Sequence, residues 1–202
     1  MDNEKQINVL TIDYYNKNYD TFVKSTQNVD FSKTQNVFMD LLSKDANVLD
    51  FGCGSGRDTK CFLEHGYHVD AVDGSTELCR IASAYTGIRV RHMMFQELDV
   101  REKYDGIWAC ASILHLNKAE LLEVLKRMSR ALRKDGIIYT SFKYGDFEGV
   151  RNGRYFTDFT EETFAMIVDG IPSLSVEMQW ITGDARSDRE NEKWLNLILK
   201  KV

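Results

Sequence analysis

Val48-Leu49-Asp50-Phe51-Gly52-Cys53-Gly54-Ser55-Gly56 decides how this chain folds. An apolar run leads into glycines at alternate positions, and a second apolar run, Val69 to Val72, ends at Asp73. Such runs, bounded by glycine, read as a buried strand, a tight turn and a helix start. Lacking a β-carbon, glycine takes positive φ and lets a ligand lie against bare backbone. Asp73, closing the next strand, can then accept both hydroxyls of a ribose. These are the parts needed to hold an adenosine group at the edge of a parallel sheet.

Two cofactor classes use this device, and spacing separates them. Dinucleotide sites of the G-x-G-x-x-G type need a third glycine three positions after the second, where a pyrophosphate rests on the helix N-terminus. Arg57 occupies that position here, and the glycine comes one step early at Gly56. The pattern D-x-G-x-G-x-G from Asp50 to Gly56 resembles motif I of the class I S-adenosylmethionine-dependent methyltransferases, which hold no pyrophosphate. The resemblance extends to the acid at Asp73, to Tyr104-Asp105-Gly106-Ile107-Trp108, and to Leu132-Arg133-Lys134-Asp135-Gly136. The last has Lys-Asp where the family commonly has Pro-Gly. Gly52 to Asp58 and the small size are similar to tellurite-resistance-type and related small-molecule methyltransferases.

Composition agrees with a soluble domain. The 202 residues suffice for a substantial core, and the formal charge of −5 supplies no basic field for nonspecific nucleic-acid binding. Cys53, Cys61, Cys79 and Cys110 lack C-x-x-C spacing, which points to reduced thiols in a cytoplasmic protein and to no metal site. The first ten residues are polar and acidic, and no segment is apolar enough to span a bilayer, so neither export nor a membrane is expected.

The remaining chain alternates helical and strand patterns, as expected of an α/β fold. Ile12, Tyr15, Tyr19, Phe22 and Val23, then Val37, Phe38, Leu41 and Leu42, predict two helices ahead of the first strand. A helix through Phe62 and Leu63 stops at Gly66. Ser75 caps a helix through Leu78, Ile81, Ala82 and Tyr85, and Asn117 with Glu120 caps one through Leu121, Val124, Leu125, Met128 and Leu132, stopped by Lys134-Asp135-Gly136. Ile88 to His92, Tyr104 to Cys110 and Ile137 to Phe142 read as strands. Thr160-Glu161-Glu162 opens another helix. Leu174, Val176, Met178 and Trp180 alternate as a strand, Trp194 to Leu199 forms the last, and Thr182 to Glu192 is a polar loop.

With the resemblance, this predicts a Rossmann-like, doubly wound, mostly parallel seven-stranded sheet with helices on both faces and the last strand antiparallel. One domain is expected over 1–202, with 1–45 an N-terminal helical lid and 46–202 the Rossmann-like core. The resemblance implies S-adenosyl-L-methionine as cofactor, S-adenosyl-L-homocysteine as product, and in-line displacement of the sulfonium methyl. It also implies cofactor contacts at Asp50, Gly52, Cys53, Gly54, Gly56, Asp73 and Gly74, with Phe95 packing on adenine and Gln96 bonding its edge. Ala109 and Cys110 backbone groups would hold the methionine amine. Tyr14 and Tyr15 on the lid helix are positioned to attract the cationic sulfonium or simply to pack. Cys110 reads as a small apolar wall rather than a nucleophile.

His115, a few residues past the fourth strand, titrates near neutral pH and suits a proton acceptor, or else packs within its loop. From Lys143-Tyr144 to Tyr155-Phe156, glycines, arginines and aromatics gather where a substrate lid would sit, so Tyr144 and Arg154 join His115 as catalytic candidates. Arg154, with Arg151 or Lys143, would pair with an anionic acceptor, although Arg151 alone reads as a solvated surface arginine. A small-molecule acceptor is the first reading, with no nucleic-acid or membrane partner and a monomer or homodimer equally open. A methyltransferase acting on a peptide terminus or tRNA is the alternative, although no Asn-Pro-Pro-Tyr-like tetrapeptide follows the fourth strand. A nicotinamide oxidoreductase and a non-catalytic cofactor sensor come after.

Overall fold

In β1 (Asn47–Phe51) every residue after Asn47 is buried, and their side chains alternate between the two faces of the sheet. Val48 packs with Phe38, Phe62, Trp108 and Tyr139 on one face, and Leu49 and Phe51 pack with Ile107, Val124, Leu125 and Ile138 on the other. A strand covered on both faces belongs to the middle of a parallel sheet.

The computed structural model describes residues 2–186, 189 and 191–202. Around β1 stand β2 (His68–Asp73), β3 (Arg91–His92), β4 (Tyr104–Ala109), β5 (Leu132–Lys143), β8 (Leu174–Gly183) and β9 (Lys193–Lys201). They form one seven-stranded sheet in the order β3-β2-β1-β4-β5-β9-β8. The expected antiparallel last strand is β9, which runs against both β5 and β8 and lies between them. Helices α2 (Ser32–Met39), α3 (Arg57–Glu64) and α4 (Thr76–Thr86) accompany α1 (Asp2–Thr26), while α5 (Lys118–Ala131) and α6 (Glu161–Val168) supply the core of the opposite face. The predicted caps close as bonds: Leu78 N–H donates to Ser75 Oγ at 3.2 Å and Glu120 N–H to Asn117 Oδ1 at 2.9 Å. Among the described residues no helix is long and apolar enough to cross a membrane.

Four segments depart from the sequence reading. The Lys143–Phe156 stretch contains a β-hairpin rather than a loop: β6 (Glu148–Arg151) pairs antiparallel with β7 (Arg154–Thr157). Its two-residue turn is Asn152-Gly153, with φ of 52° and 75°, the twist that right-handed strands accept. Helix α5 ends at Ala131 instead of continuing to Gly136. Leu132 already pairs with Tyr104, and residues 133–136 bulge out before Ile137 meets Gly106, a detour fixed by Arg133 Nη1 donating to Asp105 at 2.9 Å. The third strand is only Arg91–His92, and β8 takes the first two residues of the expected Thr182–Glu192 loop. Residues 187, 188 and 190 of that loop lie outside those described.

Strand order reverses between β1 and β4, so the crevice beyond their carboxyl ends is where an open sheet of this kind takes a ligand. Helix α1 lies across that crevice. Tyr155 N–H donates to Thr11 Oγ1 at 3.1 Å, Ser75 Oγ to Asn16 Oδ1 at 2.7 Å, and Gln27 Nε2 to the Ser55 carbonyl at 3.2 Å. Between these anchors the helix breaks at Asn18, whose φ of −114° and ψ of 17° leave the helical range.

Candidate active site

The glycine turn works because Gly52 and Gly54 both have positive φ, 86° and 55°. At Gly52 a β-carbon would stand 2.5 Å from the Ser112 Cβ, and at Gly54 it would stand 3.0 Å from the Phe22 ring of α1. The turn is therefore pressed from the β4 side by Ser112, whose Oγ donates to the Phe51 carbonyl at 2.7 Å, and from above by α1. Asp73 ties the turn to β2: its Oδ2 accepts the Gly54 N–H at 2.9 Å and its Oδ1 the Ser75 N–H at 2.8 Å. Each carboxylate oxygen keeps a further lone pair for a ligand. Burial pushes the Asp73 carboxyl upward, against the two backbone donors that favour its charged form.

A cavity of about 420 Å³ opens from this turn, within the range of small-molecule sites. Tyr15, Gly52, Cys53, Gly54, Asp73, Gly74, Phe95, Gln96, Cys110, His115 and Arg154 all line it, so most of the sequence-predicted residues come together. Phe95 lies against Phe51 with ring centroids 4.9 Å apart, and the Gln96 amide nitrogen is spent on Glu120 at 3.1 Å, leaving the amide oxygen.

Five predicted residues stand outside the cavity lining. Asp50 is buried behind the turn, 2.5 Å from the Thr59 hydroxyl, and burial with Asp58 nearby raises its carboxyl to about 8, so it braces the loop in neutral form. Gly56 sits at the start of α3 against Ala82 and Thr86 of α4. Ala109 is wholly buried at the end of β4. Tyr14 lies beside the cavity with its ring 4.4 Å from the Arg154 guanidinium. Tyr144 is exposed, hydrogen bonded to Glu161 and bridged to Phe159, away from the crevice because the chain turns outward into β6 there.

His115 corrects the expectation of a near-neutral group. It is buried, its Nδ1 is 2.5 Å from the Tyr155 carbonyl, and its Nε2 is 2.9 Å from the Tyr15 hydroxyl. A carbonyl only accepts, so Nδ1 carries the proton and the Nε2 lone pair receives the Tyr15 O–H. Burial, and then the Arg154 charge, hold the imidazole down to about 3 against the Tyr155 bond. This neutral ring orients Tyr15 and offers no lone pair to the cavity. Burial also raises the Tyr15 hydroxyl above its ordinary value. Cys110 is pushed up to about 12 by burial, which keeps it a thiol and agrees with a wall residue.

The arginine reading divides as well. Arg151 is not a solvated side chain: it makes a two-pronged pair with buried Asp158, at 3.0 and 2.8 Å, between the Phe147 and Phe156 rings. The sequence reading also missed Arg57. It pairs with Asp58 at 2.8 Å, lies 4.5 Å above the Phe31 ring and lines the cavity. Asp58 in turn accepts from Trp108 Nε1 at 2.8 Å and Gln35 Nε2 at 2.7 Å. Phe22 was legible as part of an amphipathic helix, two turns beyond Tyr15, but nothing in the pattern showed that it would sit on Gly54.

Residues 48–136 match a family described as methyltransferase domain. The chain is 26% identical over 141 residues to a malonyl-[acyl-carrier protein] O-methyltransferase of Acetivibrio thermocellus, covering 65% of this chain and 47% of that protein. It is 38% identical over 99 residues to N-terminal Xaa-Pro-Lys N-methyltransferase 1 of Xenopus tropicalis, covering 45% and 44%. It thus spans about half the length of these curated relatives. Among solved structures, a Burkholderia thailandensis 1,6-didemethyltoxoflavin-N1-methyltransferase superposes with a TM-score of 0.79 at 24% identity, over 98% of this chain and 90% of that one. A TehB-like methyltransferase from Corynebacterium glutamicum superposes with 0.68 at 17% identity, over 95% and 98%. Both likenesses concern the fold. The glycine turn and the acid at the end of β2 both lie inside the matched stretch, so residues 48–136 of this chain are similar to a methyltransferase domain and the whole chain shares the fold of S-adenosylmethionine-dependent methyltransferases.

Proposed function

We propose that this protein transfers the sulfonium methyl of S-adenosylmethionine to a small acceptor lying between the glycine turn and the β6–β7 hairpin. The observation that carries this reading is the single cavity running beneath α1 from Gly52 and Asp73 to Arg154 and Phe156. The residues fit the cofactor. Bare backbone at Gly52 and Gly54 leaves room for its amino-acid part, the free lone pairs of Asp73 suit two ribose hydroxyls, and Phe95 with the Gln96 oxygen suits adenine.

When bound, the cofactor supplies a methyl group already activated on positive sulfur. The protein has to align the acceptor, shield it from water and hold it still. Tyr15, fixed by His115, closes the cavity from the α1 side, and its ring suits a cationic sulfur. We read residues 1–45 as the lid and 46–202 as the core of one domain, in a reducing cytoplasm that suits four free cysteines. The Burkholderia neighbour, which aligns over nearly the whole chain, acts on a small heterocycle by its name. Similarity to the Xaa-Pro-Lys N-methyltransferases supports the second reading, a peptide terminus.

Methyl-labelled cofactor incubated with a metabolite extract, with peptides and with tRNA separates these readings. Label in the small-molecule fraction is expected. Label confined to peptide or RNA moves the assignment to the second reading, and absence of S-adenosylhomocysteine binding by calorimetry refutes both.

A further inference from the structure

We propose that Arg154 forms an oxyanion-binding subsite in the acceptor half of the cavity, taking a carboxylate or ring oxyanion of a planar acid. The inference rests on the methyltransferase reading for its biological meaning, but the site itself is an independent physical claim.

Several cations line this half of the cavity, and most are spent. Arg57 is paired with Asp58 at 2.8 Å, Lys143 with Glu192, Arg151 with Asp158 at 2.8 Å and Arg186 with Asp184 at 2.6 Å. Arg154 differs. Among the described residues no carboxylate comes within ion-pair distance of it. Its only hydrogen bond among the described residues is a long one, Nη1 donating to the Tyr15 hydroxyl at 3.4 Å, and its buried Nε has no acceptor there.

Arg154 is half-buried and lines the cavity, and its sealed Nε–H is a costly donor to leave unmatched unless something arrives to accept from it. Three aromatic rings surround it. Its guanidinium carbon lies over the rings of Tyr14 at 4.4 Å, Phe156 at 5.1 Å and Tyr15 at 5.7 Å from their centroids. These contacts hold the flat group without satisfying its N–H donors. Its position on β7 is fixed by the Asn152-Gly153 turn and by Tyr155 N–H on Thr11.

A guanidinium held over aromatic rings keeps N–H donors that the rings do not satisfy, and its fork of parallel donors matches a carboxylate or a delocalised ring oxyanion in two-pronged fashion. The lone contact with Tyr15 is weak enough to yield. Tyr15 itself donates to His115 Nε2, so its oxygen faces the same space as an acceptor and not as a competing donor. A neutral compound of the same shape would leave the guanidinium unmatched, which makes charge the property selected here.

The test titrates benzoate and its uncharged isostere benzamide into the S-adenosylhomocysteine-loaded protein, by calorimetry and ligand-observed NMR. Benzoate is expected to bind about ten- to a hundredfold more tightly than benzamide, the span of a charge-assisted two-pronged bond. R154Q is expected to abolish that preference with S-adenosylhomocysteine affinity retained. R154K, which keeps charge but loses the planar fork, is expected to fall between and covers the case in which R154Q does not fold. Equal affinity for the two probes, no binding of either, or a benzoate preference surviving in R154Q overturns the subsite. If S-adenosylhomocysteine fails to bind while Arg154-dependent benzoate binding persists in the unloaded protein, the methyltransferase reading falls and the subsite stands.

Discussion

Replacing Gly52 with alanine tests the turn on which the site depends. The residue holds φ of 86°, a region that costs an L side chain about 1–2 kcal/mol. The added methyl would also meet the Ser112 Cβ at 2.5 Å and the Phe95 ring at 3.2 Å, overpacking worth about 1–3 kcal/mol. G52A should therefore lose about 2–5 kcal/mol of stability in urea unfolding followed by tryptophan fluorescence, and weaken S-adenosylhomocysteine binding with it. A second variant separates the two costs. S112G removes the offending β-carbon, at about 0.5–1.5 kcal/mol for the lost bond to the Phe51 carbonyl and about 0.5–1 kcal/mol for the glycine. The double variant should then be less destabilised than the sum of the singles by about 1–2 kcal/mol, the share of the clash owed to the Ser112 β-carbon, since the Phe95 contact stays. Additive losses would refute the clash argument. G52A within about 0.5 kcal/mol of the parent protein would refute the account of the turn as a whole.

Asp73→Asn keeps the shape but loses the negative charge that two ribose hydroxyls would address, and about tenfold or more of S-adenosylhomocysteine affinity should go with it, read by calorimetry. His115 is depressed in the folded protein to about 3 from an ordinary 6.5, so below about pH 6.5 the unfolded chain binds the extra proton. Its stabilising contribution is complete above that point and declines as pH falls toward 3. Lowering the pH from about 7 to about 5 should cost about 2 kcal/mol through this residue, a slope that H115N should lack in urea titrations at the two pH values. The same geometry predicts no inflection near pH 6.5 in kcat/KM from His115. Tyr144→Phe should leave both S-adenosylhomocysteine affinity and methyl transfer unchanged, because the hydroxyl faces Glu161 outside the cavity.

Local signals carried most of the fold. The glycines after Leu49, the caps at Ser75 and Asn117, and the two faces of β1 each answer to short-range sterics and burial, which a sequence displays directly. The β6–β7 hairpin was readable too, since Asn152-Gly153 is a strong two-residue turn signal; the gathering of arginines and aromatics drew the reading toward a lid loop instead. What could not be read was pairing over long separations. Nothing near Arg151 shows that buried Asp158 will claim it while Arg154, three residues on, has no acid. Nothing near His115 shows that a backbone carbonyl from Tyr155 and a hydroxyl from Tyr15 will fix its tautomer and strip its basicity. These properties arise from tertiary contacts that bring α1, the segment after β4 and β7 to one point.

The break in α1 at Asn18 divides that helix into two mechanical segments. The stretch before it is fastened to β7 through Thr11, and the stretch after it rests on the glycine turn through Phe22 and Gln27. The first segment also holds Ser75 through Asn16, so swinging it aside would open the acceptor pocket and the Asp73 corner while Phe22 and Gln27 still covered the glycine turn. A helix jointed there can shift at one end while the glycine turn stays pinned at the other, a division that an unbroken rod laid across both would not permit.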